Sequence, residues 1–245
     1  MKLVISAMHR TGHHPVAIWL LHQKPNVLDF SIKTMSEWLF YVENYDELYI
    51  LANNPCKIHE REDKKNFSQI ITNANPELLI STHERESLSD TWYINDRTHR
   101  TCCSDYRKVV VIRDFRNWVA SCIQMGIRDD KPLDEVISDK DIANYYNHLS
   151  DYGREAYYIK YNDWCVDPDY RKQITIDLGL HFTDAALNQL SIFGNGSSFD
   201  GMKHIKTAHL MNTNERYKQM LDNKDYQQIL KDNDHILQLS ESIFK

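Results

Sequence analysis

The chain has 245 residues, 42% of them hydrophobic, and a formal net charge of −6. That length and apolar content fit one large α/β domain over residues 1–245 better than two small ones. The negative balance excludes broad attraction to nucleic acid or to an anionic membrane, but leaves room for a local basic pocket holding one anionic ligand.

The first predicted element is a strand over Lys2–Ala7. It runs into the turn Arg10-Thr11-Gly12-His13-His14, and a buried helix is predicted over Pro15–His22. In a strand, Gly turn and helix, backbone N–H groups and a helix N-terminus can hold a phosphate, and Arg10 places a basic side chain inside this turn. The second Gly and the Lys-Ser/Thr pair of G-x-x-x-x-G-K-[ST] are missing, which disfavours an ATP or GTP hydrolase. His13 and His14 are neighbours, which rarely both face one ion, and no third ligand is evident, so no metal is expected.

A short strand is predicted at Leu48–Leu51 and a buried one at 77–81, followed by Thr82-His83-Glu84. With an ordinary pKa of about 6.5, His83 suits proton abstraction near neutrality. Adjacent residues at a strand end point in opposite directions, so His83 and Glu84 do not both face one site. The clearest strand, 108–112, leads into Arg113 and a predicted helix over Phe115–Met125. Asn117 and Ser121 share one face of that helix. Arg113, a planar fork of donors, together with the Ser121 hydroxyl suits a second phosphate.

Another strand is predicted at 156–161, then a helix over Tyr170–Leu178 ended by Gly179. Residues 194–203 are Gly-dense in a Gly-poor chain, and Phe199 beside hydroxyls can stack on a base. Ile236, Leu239 and Ile243 form an apolar helical stripe that packs against the domain or, alternatively, against a second copy. Read singly, each feature has an ordinary alternative: a plain turn, a structural histidine, an Arg113–Asp114 surface pair, a surface loop.

Alternating strands and helices imply a central parallel sheet flanked by helices on both faces. Such sheets bind ligands at the C-terminal ends of their strands. No stretch approaches the roughly 18 apolar residues of a membrane span, and the first apolar run is too short for a signal core. The five cysteines, Cys56, Cys102, Cys103, Cys122 and Cys165, show no C-x-x-C spacing, which fits reduced thiols and a cytoplasmic setting.

Five segments in order, between residues 5 and 203, resemble one family: the sulfotransferases that use 3′-phosphoadenosine 5′-phosphosulfate (PAPS). Arg10-Thr11-Gly12-His13-His14 is similar to the family's [RK]-x-G-[ST]-[ST] turn for the 5′-phosphosulfate. Arg113 and Ser121 have the eight-residue spacing of its 3′-phosphate pair. Thr82-His83 resembles the T-H pair whose His is the catalytic base. Ser197-Ser198-Phe199-Asp200-Gly201-Met202-Lys203 resembles T-S-F-x-x-M-K, which touches the adenine and 3′-phosphate side. The stretch from Tyr161 to Pro168, with Leu178-Gly179, is similar to Y-E-D-L-x-x-D-P…L-G, whose Tyr lies near adenine.

The resemblance implies a P-loop-NTPase-like three-layer sandwich with a helical C-terminal segment. It implies PAPS as co-substrate, 3′-phosphoadenosine 5′-phosphate (PAP) as product, and no metal. His83 and Arg10 would be catalytic, with Glu84 the alternative base. The nucleotide would be bound by Arg10, Thr11, Gly12, His13, His14, Arg113, Ser121, Tyr161, Ser197, Ser198, Phe199, Met202 and Lys203. The departures are His13 and His14 in place of hydroxyls, Pro15 in place of an adenine-stacking Trp, and a missing R-K-G-x-x-G-D-W-K motif. Arg216, Lys203 and Lys206 are the candidates for its charge.

Two rivals stand beside this reading: a divergent nucleotide kinase or hydrolase, and a non-catalytic 3′-phosphoadenosine nucleotide-binding protein. The acceptor would be a small molecule or glycan, with Arg10 favouring carbohydrate. It would meet the segments Phe30–Lys65 and Arg128–Asp151, which read as irregular and charge-rich.

Overall fold

The burial of the first strand explains the architecture. In β1 (Lys2–Ala7) the residues Leu3, Ile5 and Ala7 join one buried cluster, which also takes Val109 and Val111 from β6 (Arg107–Ile112). Val110 and Ile112 of β6 join a second cluster. Strands buried on both faces need apolar residues at consecutive positions, and Val109-Val110-Val111-Ile112 supplies them.

The remaining strands are β2 (Glu37–Glu43), β3 (Glu47–Ala52), β4 (Asn54–Ile58), β5 (Leu78–Glu84) and β7 (Tyr157–Lys160). They form one sheet in the order β4-β3-β2-β5-β1-β6-β7. This computed structural model describes residues 2–23, 37–43, 47–52, 54–58, 78–84, 106–188, 197–204 and 206–245. The predicted α/β class holds: β2, β5, β1, β6 and β7 run parallel.

At one edge the sheet departs from the wholly parallel prediction. β3 lies antiparallel to β2, and β4 antiparallel to β3. The reason is connection length. Residues 44–46 separate β2 from β3 and residue 53 separates β3 from β4, whereas a parallel return needs a crossover of about a dozen residues or more.

Helices cover both faces. α1 (His13–Leu21), α5 (Tyr161–Val166) and α6 (Pro168–Leu178) supply Val16, Trp19, Trp164 and Ile174 to the first cluster. The second face carries α2 (Phe115–Asp129), α3 (Leu133–Val136), α4 (Asp139–Ser150), α7 (Lys224–Asp232) and α8 (Asp234–Ile243). These contribute Trp118, Val136, Tyr145, Tyr226 and Ile236, while Leu239 and Ile243 pack against them. The C-terminal stripe therefore has its apolar face on this domain's own core.

Local chemistry sets the helix ends. Asp114 caps α2 by accepting from Asn117 N, and Phe115, Trp118, Val119, Cys122 and Ile123 give it a buried stripe at helical spacing. Gly179, at φ 70, ends α6 as the sequence predicts. Tyr161, assigned by sequence to the end of a strand, is instead the first residue of α5.

The segments Phe30–Lys65 and Arg128–Asp151 are also more regular than their charge suggested. The first contains β2, β3 and β4, and the second contains α3 and α4. In α4 a reciprocal Ser138–Asp141 capping box starts the helix inside the charge-rich run.

Candidate functional site

The turn after β1 is held from behind. The Met8 carbonyl accepts from Thr11 Oγ1 at 2.7 Å, the His9 carbonyl from Trp118 Nε1 at 2.8 Å, and the Arg10 carbonyl from Arg113 Nη1 at 3.2 Å. Arg10 adopts φ 64, an uncommon left-handed conformation for a side-chain-bearing residue. Gly12 follows at φ 89, and a Cβ there would lie 2.3 Å from Tyr161 Cε2. Glycine is thus required twice over, by the backbone angle and by the Tyr161 ring packed on the turn.

Gly12 is also the N-cap of α1. That helix has no side-chain cap and no acidic residue in its first turn. α2, α4, α6 and α7 are capped by Asp114, Ser138, Asp167 and Asn223. At α1 the partial positive charge of the helix N-terminus is therefore left for another anion. Pro15, in the first turn of α1, sits where its missing N–H would have no intrahelical partner.

His13 is 2% exposed. Burial first, then Arg10 and His9, pushes its pKa from 6.5 down to about 3. The His14 ring lies against it, with centroids 4.2 Å apart. At neutral pH His13 is an uncharged ring, able to act as a hydrogen-bonding group but not as a cation.

The sign of the pH effect follows. The folded pKa lies below the unfolded one, so as pH falls through 6.5 the unfolded chain takes up a proton that the folded protein refuses until about pH 3. Stability contributed by neutral His13 is complete above that window and declines by about 1.4 kcal/mol per pH unit within it. His13→Gln should flatten the acid side of the stability–pH curve by that slope in chemical denaturation. Parallel curves for the two proteins would contradict a buried neutral His13.

Arg113, at the end of β6, is 2% exposed. It donates to Thr213 O at 2.7 Å and to Arg10 O, and its Cζ lies 5.4 Å from the centroid of Tyr161. Its Nε has no partner among the described residues. Tyr161 in turn stacks on Trp164. On α2, Ser121 Oγ pairs with Ser198 Oγ at 2.7 Å, joining two motifs 77 positions apart in sequence.

The 197–201 loop closes on itself. Ser197 N donates to Gly201 O and Gly201 N to Ser197 O, and Arg128 Nη1 donates to Ser197 O at 3.3 Å. Phe199 packs against the second core cluster and carries the Arg216 guanidinium 5.3 Å from its centroid. Arg216 also pairs with Asp200 at 2.8 Å. Met202 and Lys203 are exposed, as is Lys206, whereas Arg216 is buried.

Burial, then the charge of Arg113, lowers the Arg216 pKa, with Arg10 adding to them and Tyr161 and Asp200 opposing. The charges of Arg113 and Arg10 therefore act on a mostly buried Arg216, and the Asp200 carboxylate offsets part of that cost.

His83 lies opposite Ser6 in the β5–β1 register and Glu84 opposite Ala7, immediately before the turn. The strand runs through both residues instead of ending at Ser81, because β5 is paired on both sides, with β1 and β2. Residues 194–196 lie outside the described part of the chain.

Among solved structures, the sulfotransferase domain of the Synechococcus PCC 7002 olefin synthase matches with a TM-score of 0.55 at 14% sequence identity, over 100% of this chain and 95% of that one. The chain has a sulfotransferase-like fold. No family model and no curated protein matches the sequence.

On that fold, Arg113 and Tyr161 pack against the Arg10–His14 turn, and Ser121 pairs with Ser198. Sequence reading left Arg216 level with two lysines and gave no role to Thr213, whose carbonyl accepts from Arg113, to Asn162, which bonds Asp114, or to Asn214, whose Nδ2 donates to Asn162 O. No spacing rule marks these last three. Asp114 before a helical pattern was a readable N-cap signal. Among the described residues, no group of three or more His, Cys, Asp or Glu is placed to hold a metal, and no helix is long and apolar enough to cross a membrane.

Proposed function

We propose that the protein transfers a sulfuryl group from PAPS to a hydroxyl or amine of an acceptor, releasing PAP. One observation carries this reading: the buried Arg113 guanidinium reaches the backbone of the Arg10 turn beside the uncapped N-terminus of α1, in a sulfotransferase-like fold. A doubly phosphorylated nucleotide needs two donor sets, and the residues supply two. The turn, with Arg10, Thr11, Gly12, His13 and His14, suits the 5′ side. Arg113 with its unpartnered Nε, the Ser121–Ser198 pair and Arg216 suit the 3′-phosphate.

Arg216 is our assignment for the missing basic motif, because Lys203 and Lys206 are exposed. Tyr161, Ser197, Phe199, Met202 and Lys203 would complete the nucleotide pocket. Phe199 already carries Arg216 on its ring, so one ring face at most serves a base.

Bound PAPS supplies an activated sulfuryl group on a 5′-phosphate leaving group. His83 takes the acceptor's proton as the acceptor atom bonds to sulfur. Arg10 and the N–H groups around Gly12–His14 stabilise charge developing on the departing oxygen. Arg113, Ser121 and Arg216 distinguish the nucleotide from ATP. The acceptor class is a small alcohol or glycan, and the setting cytoplasmic.

A thermal-shift series with 3′,5′-ADP, ADP, ATP and GTP tests the reading. A ligand at 100 times its Kd stabilises by about 2.7 kcal/mol, so selective stabilisation by 3′,5′-ADP is the expected result. Equal shifts with all four nucleotides would reject it. Transfer of labelled sulfate from PAPS then separates an enzyme from a nucleotide-binding protein that lacks turnover.

A further inference from the structure

Arg216 sits in a stretch without regular helix or strand hydrogen bonding on its N-terminal side, at the start of the 3₁₀ turn Arg216–Met220. Something else must fix its backbone. Asn117, 1% exposed in the first turn of α2, does so from both sides. Its Nδ2 donates to Asn214 O at 2.8 Å, and its Oδ1 accepts from Tyr217 N at 3.1 Å. The two backbone groups it reads bracket Arg216. Its own amide is oriented by Asp114, whose Oδ2 accepts from the same Nδ2 at 2.8 Å. Both amide hydrogens and the amide oxygen are used, so one rotamer is selected.

We infer that Asn117 is the positioning residue that holds Arg216 toward the 3′-phosphate, and so sets the selectivity for a 3′-phosphorylated nucleotide. This rests on the functional reading above. Asn117 itself need not touch the ligand. It couples the α2 terminus beside Arg113 to the Arg216 segment, so the two arginines present one geometry to the anion. A general structural role would weaken 3′,5′-ADP and ADP alike. A positioning role acts only on the ligand that carries the 3′-phosphate.

Calorimetric Kd values for 3′,5′-ADP and ADP should be measured on wild type, Asn117→Ala, Arg216→Ala and the double variant. Asn117→Ala is expected to lose about tenfold of the preference for 3′,5′-ADP, with ADP affinity unchanged. In the Arg216→Ala background the same change should cost no further preference, the non-additivity expected of one coupled unit. Asn117→Leu keeps the approximate size, removes the two N–H donors without adding charge, and should show the same loss if the alanine variant fails to fold.

An unchanged preference in the Asn117 variants, with Arg216→Ala reducing it, overturns the inference while leaving the functional reading in place. So does an equal loss in both backgrounds. A wild type with no preference for 3′,5′-ADP overturns the functional reading, and the inference with it.

Discussion

Replacing His83 by alanine is expected to lower sulfuryl transfer by a factor of about 10² to 10⁴, the range for a lost acid–base group, with little change in affinity for 3′,5′-ADP. The expectation rests on two observations. Thr82-His83 resembles the family's T-H pair, and the β5–β1 register sets His83 opposite Ser6, two residues before Met8 opens the turn. That places the residue at the C-terminal end of a central strand, where open α/β sheets bind their ligands. Its effect would belong to the chemical step, because the proposed function assigns the nucleotide to other groups. Single-turnover transfer and nucleotide titration on the same variant separate the two. Turnover equal to wild type would remove His83 from the mechanism and move the proton-transfer role to Glu84, one register position further along.

Gly12→Ala should be the most damaging single change at the turn. At φ 89 an alanine pays about 1–2 kcal/mol for a left-handed backbone. Its Cβ would also be forced to within 2.3–2.6 Å of three atoms of the Tyr161 ring. That ring cannot yield freely, since it stacks on Trp164 and lies beneath Arg113. The expected result is a lower melting temperature together with a loss of at least about tenfold in nucleotide affinity, roughly 1.4 kcal/mol. Adding Tyr161→Ala should relieve the clash but not the backbone penalty. Partial recovery of stability in the double variant is therefore expected. A Gly12→Ala protein with wild-type melting and affinity would show that the turn does not bind through its backbone.

Part of the fold is legible in the sequence. β1 and β6 announce themselves as consecutive β-branched and aliphatic residues, and Gly179 marks the end of α6, whereas its start at Pro168 lies two residues before the predicted Tyr170. The Arg10 turn, Thr82-His83 and Arg113 were readable because each follows a strand, whereas Ser121 and Ser198 shared a 3′-phosphate role by resemblance alone and their contact across 77 positions went unread.

What stayed hidden was set by tertiary context. β2 carries Trp38-Leu39-Phe40-Tyr41-Val42 between two glutamates, and the charged surroundings mask it until β5 pairs with it. The antiparallel edge follows from linker lengths, which matter only once the strands are known. Arg216 was one of three basic candidates because sequence cannot report burial. Its selection over Lys203 and Lys206 depends on Phe199, Asp200 and the backbone groups held by Asn117.

The charges of Arg10 and Arg113 act on the buried Arg216 whatever ligand the site takes. Like charges around a buried guanidinium raise the free energy of the folded state, Asp200 offsets part of that, and a small oxyanion settling among them would lower it further. Under the proposed function, stability would be a joint property of chain and counter-ion. Phosphate or sulfate in a buffer would be a weak ligand competing with the nucleotide, and a melting temperature would have meaning only alongside the anion in which it was measured.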